Sequence, residues 1–210
     1  MVMENRTAAE KLACAHSAHE AEIIACSHHH SETATGLLSD EHRVIERVLA
    51  AVERLTEKPA TEFLQPWKMA LDFVRHFADQ CHHIKEEKVL FPALEEHGIP
   101  MEGGPVGMML LEHEEGRSYV RAMFDALGKI EAGDRSAQAA LCDNAKQYLR
   151  LLREHIQKED DILFRMADEV IPVDEQKQLL EKFEIHEAEE VGTGVHEKYL
   201  RIVEQLESVV

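Results

Sequence analysis

The stretch His82-His-Ile-Lys-Glu86-Glu-Lys-Val-Leu-Phe91 returns as His155-Ile-Gln-Lys-Glu159-Asp-Asp-Ile-Leu-Phe164, and this pair decides how the chain is read. The offset is a constant 73 residues, with His, Lys, Glu, Leu and Phe identical. In each copy His and Glu stand four residues apart, so on a helix they lie one turn apart on the same face. Outward from the second copy, Tyr148, Leu152, His155, Glu159, Ile162 and Met166 follow alternating steps of four and three. That is an apolar stripe with a polar pair at its middle. Leu71, Val74, Ala78, His82, Glu86, Val89 and Ala93 make a similar stripe around the first copy. Buried His and Glu are costly without partners, so their place on core faces needs a reason, and a metal supplies one.

Punctuation divides the rest into helices. Residues 1–35 are a His/Ala/Ser-rich N-terminal extension, with a helix expected over about 4–26. Ser39, Asp40 and Glu41 read as a cap and acidic first turn for a helix running to Lys58-Pro59. The second helix starts near Pro66 and ends at His97-Gly98; the third opens at Gly103-Gly104-Pro105 and ends at Gly133; the fourth spans about 136–170. Shorter helices over about 174–190 and 195–207 flank Gly192-Thr193-Gly194. Short connections make neighbouring helices antiparallel. The expected fold is therefore all-α: an up-down-up-down four-helix bundle over 36–171, with a C-terminal helical appendage over 172–210.

Two single histidines complete the pattern. His42 shares a face with Ile45, Leu49 and Val52, and His113 shares one with Val106, Leu110, Val120 and Leu127. Counted from the intervening turns, His42 lies 17 residues before Pro59 and His82 lies 16 after Pro66; His113 and His155 lie 20 and 22 residues from Gly133. Each hairpin thus brings two histidines level to within about one turn. Four level histidines with two matched glutamates point to a dinuclear metal site.

Composition narrows the partners. A net charge of −18 opposes binding to nucleic acid or an anionic membrane. Apolar runs are shorter than the roughly 20 residues a membrane span needs. MVMENRTAAEKL carries early charges and no apolar core, so no secretion signal is expected and the cytoplasm is the expected location. Four cysteines, Cys14, Cys26, Cys81 and Cys142, are then expected as free thiols. Fourteen histidines are many for an ordinary surface. Cys14, His16, His19, Cys26 and His28 to His30 offer ligands for a soft metal such as zinc or copper, but they match no closed site and read rather as a flexible His-rich extension. Cys81 reads as a buried small residue, Tyr119 as a core or supporting residue, and His186 and His196 as surface positions.

At HHIKEEKVLFPAL (82–94) and EHIQKEDDILF (154–164) the chain resembles the hemerythrin-like family, the HHE cation-binding domains, over roughly 37–170. The resemblance implies two iron ions bridged by carboxylates and by an oxo or hydroxo group. It implies His42, His82, His113 and His155 as terminal ligands, with Glu86 and Glu159 as bridges. Oxygen-carrying members have a further His where this chain has Arg117, which implies a more open metal position here. They also carry an Asp at the position of Asp160, so Asp160 competes with Glu159 as the bridge. His83-Glu87 is a second His-x-x-x-Glu pair, with Asp72, His76 and Asp79 on a face that reads as solvent-facing; His83 stays a candidate for the missing ligand.

The expected function is binding or sensing of O2 or a related small oxidant, within an apolar shell including Ile162, Val89, Leu110 and Leu152. The alternatives are enzymatic processing of peroxide or nitric oxide, with Arg117 or Tyr119 as polar helpers, and iron storage or delivery. The redox partner is not legible in the sequence.

Overall fold

The computed structural model describes residues 32–188 and 195–210. The expected N-terminal helix, the Cys/His-rich positions 14–30 and Gly192-Thr193-Gly194 lie outside the described residues. The remainder is an antiparallel four-helix bundle, with no strand among the described residues. Helix α1 is Ala34–Thr56. Helix α2 is one rod over 64–96, built from Leu64–Phe73, π-helical Val74–His83 and Glu86–Leu90, and Phe91–Glu96. Helix α3 is Pro105–Glu131. Helix α4 covers 138–170, as Gln138–Lys158, π-helical Glu159–Leu163 and Phe164–Val170. Val173–His186 (α5) and Val195–Val209 (α6) follow. Helices α1 and α3 each pack against both α2 and α4, which closes the bundle.

One expected boundary moves. Helix α1 begins at Ala34, capped by the Thr33 hydroxyl accepting from the Gly36 amide at 3.1 Å, and not at Ser39. Ser39 and Glu41 are instead interior, and Glu41 is buried. The other long-helix ends fall within two residues of expectation. Gly133, at φ +101°, ends α3 in a conformation open to glycine at little cost.

Two apolar cores form, one on each side of a polar layer. One holds Leu49, Trp67, Phe73, Phe77, Leu127 and Leu149; the other holds Leu38, Phe91, Leu94, Leu163 and Phe164. In all four helices the His and Glu positions fall between these two sets. Helix α6 packs its Tyr199, Val203 and Leu206 into the first core, and α5 packs Leu179 and Phe183 into the second. No helix among the described residues is long and apolar enough to cross a membrane.

The stripes read from sequence slip by one residue past each His-x-x-x-Glu motif. Ile162 is 53% exposed and Leu163 only 1%, while Val89 is half-buried beside fully buried Leu90. Each slip coincides with a π-helical segment, where hydrogen bonds run i to i+5 and each turn takes an extra residue. Ile162 therefore leaves the expected apolar shell. Replacing Leu163 with Ala should cost about 2–5 kcal/mol in urea denaturation, and Ile162 with Ala less than about 0.5 kcal/mol. The reverse order would mean that α4 is a regular α-helix at this point.

Candidate metal centre

All six residues expected to bind metal converge in the polar layer, each no more than 1% exposed. They fall into two groups, His42, His82, Glu86 and Glu159, and His83, Glu86, His113 and His155. Within each group the ligand-capable atoms lie within 4.8 Å of one another. Glu86 belongs to both: Oε1 is 3.5 Å from His82 Nε2, and Oε2 is 3.5 Å from His113 Nε2. Glu159 spans them as well, with Oε2 at 3.2 Å from both His42 Nε2 and His155 Nε2.

His83 is the seventh member. Regular α-helical geometry turns it out to solvent, but it is 5% exposed and its ring stacks on His113 with centroids 4.0 Å apart. The cause is the π-helical backbone of Val74–His83, whose wider turn lets both His82 and His83 face the bundle interior. Nothing in the hydrophobic pattern signals that widening. Arg117, where a ligand was missing, is held by Asp79, Glu87 and Glu114 at 2.7–2.8 Å.

A second layer fixes the rings. His42 Nδ1 meets Asp160 Oδ1 at 2.9 Å, His82 Nδ1 meets Glu41 Oε2 at 2.9 Å, His113 Nδ1 meets Glu87 Oε1 at 2.7 Å, and His155 Nδ1 meets Glu112 Oε2 at 3.0 Å. An ionised carboxylate only accepts, so each Nδ1–H donates and each Nε2 is left facing the centre. Each carboxylate is in turn held by a cation: Arg43 on Asp160, Lys85 on Glu41, Arg117 on Glu87 and Lys158 on Glu112. Asp160, with Ser39 Oγ also donating to it at 2.8 Å, supports His42 and leaves the central carboxylate to Glu159. The available signal for these partners was an acidic residue beside each motif: Glu41 before His42, Glu112 before His113, Glu87 after Glu86 and Asp160 after Glu159. Their pairing across helices could come only from the fold.

The other candidates lie elsewhere. Tyr119 donates to Glu115 at 2.8 Å, away from the cluster. Cys81 is buried near Glu41 and Glu187, but the Lys85 ammonium binds both carboxylates, at 2.5 and 2.9 Å. His186 is half-buried, not a free surface residue, and the His196 side chain lies outside the described residues. A cavity of about 500 Å³ between α2, α3 and α4 reaches His83, His113 and His155.

Electrostatics show what the cluster lacks. Burial pushes Glu86 well up, and repulsion from Glu159 adds to it. Burial also opposes the charge on Glu159, but His155 and His42 hold that carboxyl well down. Burial lowers His82 to about 4 and, helped by His83, lowers His113 to about 3. His155 is raised to about 9 against its burial by Glu159 and Glu112, so it donates to His113 Nε2 at 3.1 Å. The His155–His113 hydrogen bond joins two of these rings directly. Even so, His42 Nε2, His82 Nε2 and all four carboxylate oxygens of Glu86 and Glu159 have no hydrogen-bond partner. Six orphaned buried atoms are a large cost, and imidazole plus carboxylate is a donor set that fits first-row transition metals.

The supporting carboxylates set an acid limit. Burial would raise Glu41, but Lys85 and the bond from His82 bring it down to about 2; burial likewise opposes Glu87, which His113 and Arg117 bring down to about 2. A folded value below the ordinary 4.5 gives stability that is present above about pH 4.5 and lost as pH falls towards 2. Urea unfolding of metal-free protein should show this loss, and Glu87→Gln should flatten it. An equally steep acid loss in that variant would assign the effect to other groups.

Residues 33–167 match the hemerythrin HHE cation binding domain. Similar curated proteins include an uncharacterized protein of Mycobacterium bovis and one of Mycobacterium tuberculosis, each 26% identical over 167 residues, covering 76% of this chain and 63% of the relative. The chain therefore spans less than two thirds of the length of these relatives. No solved structure gives a significant match.

Proposed function

Because the chain belongs to the hemerythrin HHE cation-binding domain family, we propose that it is a non-haem di-iron protein that binds O2 or a related small oxidant. His42 and His82 would hold one iron, His83, His113 and His155 the other, and Glu86 and Glu159 would span both. The observation that carries this is the set of buried Nε2 and carboxylate oxygens without hydrogen-bond partners. Iron held there supplies a redox-active place for a small oxidant to bind.

The protein's own contribution is orientation and exclusion. The carboxylates on Nδ1 keep the His42, His82, His113 and His155 imidazoles in one tautomer, and the two apolar cores keep water from the layer except where the cavity reaches His83, His113 and His155. The His42–His82 half has one imidazole fewer than the other, so an iron held there would keep the more open position. Storage or delivery of iron fits less well, because ligands this buried and this tightly held oppose release. Processing of peroxide or nitric oxide is the second reading, favoured by the cavity that reaches His83, His113 and His155.

Anaerobic iron loading should give two irons per chain, and His155→Ala or Glu86→Ala should lower that content. Less than one iron per chain in the loaded protein would contradict the proposal. A reversible, stoichiometric colour change with O2 marks a carrier or sensor, whereas rapid oxygen evolution from peroxide marks an enzyme. Glu112→Gln, which keeps the shape but weakens the hold on His155, should weaken metal binding by about 10–100-fold in a chelator competition.

A further inference from the structure

We propose that the cavity beside His83, His113 and His155 is a binding chamber for an amphipathic organic anion, a carboxylate on an apolar body. Its volume is about 500 Å³. At about 30 Å³ per water-sized molecule this far exceeds what a diatomic oxidant needs, and it falls in the range of about 300–1,000 Å³ typical of pockets for organic ligands.

The lining gives the ligand's chemistry. Val74, Val120, Phe124, Leu151 and Leu152 form apolar walls, and the three histidines form the polar floor. Gly116 widens the chamber: a Cβ there would stand 3.6 Å from Tyr148 and 3.8 Å from Leu151, so any larger side chain would project into the space. At the rim, Arg75 and Arg121 are exposed and neither forms an ion pair among the described residues. Arg75 lies over the Phe124 ring, 5.8 Å from its centroid. Arg117 is already shared by Asp79, Glu87 and Glu114, and Glu112 is held by Lys158, so Asp125 is the lining carboxylate without an ion pair among the described residues. Arg75 and Arg121 thus offer two guanidiniums without an ion pair against the single such carboxylate of Asp125, on a chain of net charge −18. An apolar body would fill the walls while its carboxylate took the guanidiniums, which suit planar anions.

The proposal rests on the di-iron reading only for the ligand's position beside the metal; binding itself needs no metal. Calorimetric titration of the full chain with octanoate, octanol and octylamine, metal-free and iron-loaded, tests it. Octanoate should bind one per chain in both forms, octanol more weakly, and octylamine not at all. Val120→Trp, which fills the chamber, should abolish octanoate binding. The surface variant Arg75→Ala/Arg121→Ala should weaken octanoate at least about tenfold and leave octanol unchanged, because only the charge-assisted bonds are lost. Iron content should be unaltered in both variants. Octylamine binding as well as octanoate, or octanoate binding unaltered by the double Arg variant, would overturn the proposal. Chain that takes up iron but not octanoate would overturn this inference alone; chain that binds octanoate but never takes up iron would overturn the di-iron reading alone.

Discussion

The hydrogen bond from Nδ1 of His42, His82, His113 and His155 to a carboxylate on another helix is the interaction on which the centre depends. It fixes the tautomer, turns Nε2 inward and ties helices together across the bundle. Each of these four carboxylates also meets a cation, supplied by Arg43, Lys85, Arg117 and Lys158. Lys85 shows how far this goes: it is 1% exposed, and its ammonium joins Glu41 of α1 to Glu187 just beyond α5. The C-terminal end of α5 is thereby tied into the same network that orients His82.

The network has an approximate twofold pattern, inherited from the internal repeat. Glu41-His42 with His82, Lys85 and Glu86 corresponds to Glu112-His113 with His155, Lys158 and Glu159. In each half, the residue before the single His supports the His of the following helix, and the matched Lys holds that carboxylate. The pattern breaks at one place: His83 corresponds to Ile156, which is 2% exposed in the second half of the repeat. One half of the centre therefore has an extra imidazole, and the cavity opens on that half.

Much of this was legible in sequence. The helices, their antiparallel order and the convergence of six residues all follow from apolar spacing, turn residues and distances counted from the turns. The inward turn of His83, which the spacing left only as a candidate ligand, and the burial of Leu90 and Leu163 were not legible, because a regular helix of 3.6 residues per turn is assumed in any such reading. The π-helical segments break that period where His and Glu must crowd inward, and the hydrophobic pattern downstream shifts by one residue as a result. The cross-helix pairs such as His82 with Glu41 were also hidden, since an acidic residue beside a motif looks the same whether it faces solvent or a ring.

Diffraction at the iron absorption edge from crystals of the iron-loaded protein would test the central claim most directly. Two anomalous peaks about 3.5–4 Å apart, one beside His42 and His82 and one beside His83, His113 and His155, with Glu86 and Glu159 between them, are the predicted result. A single peak, or peaks outside this polar layer, would contradict it.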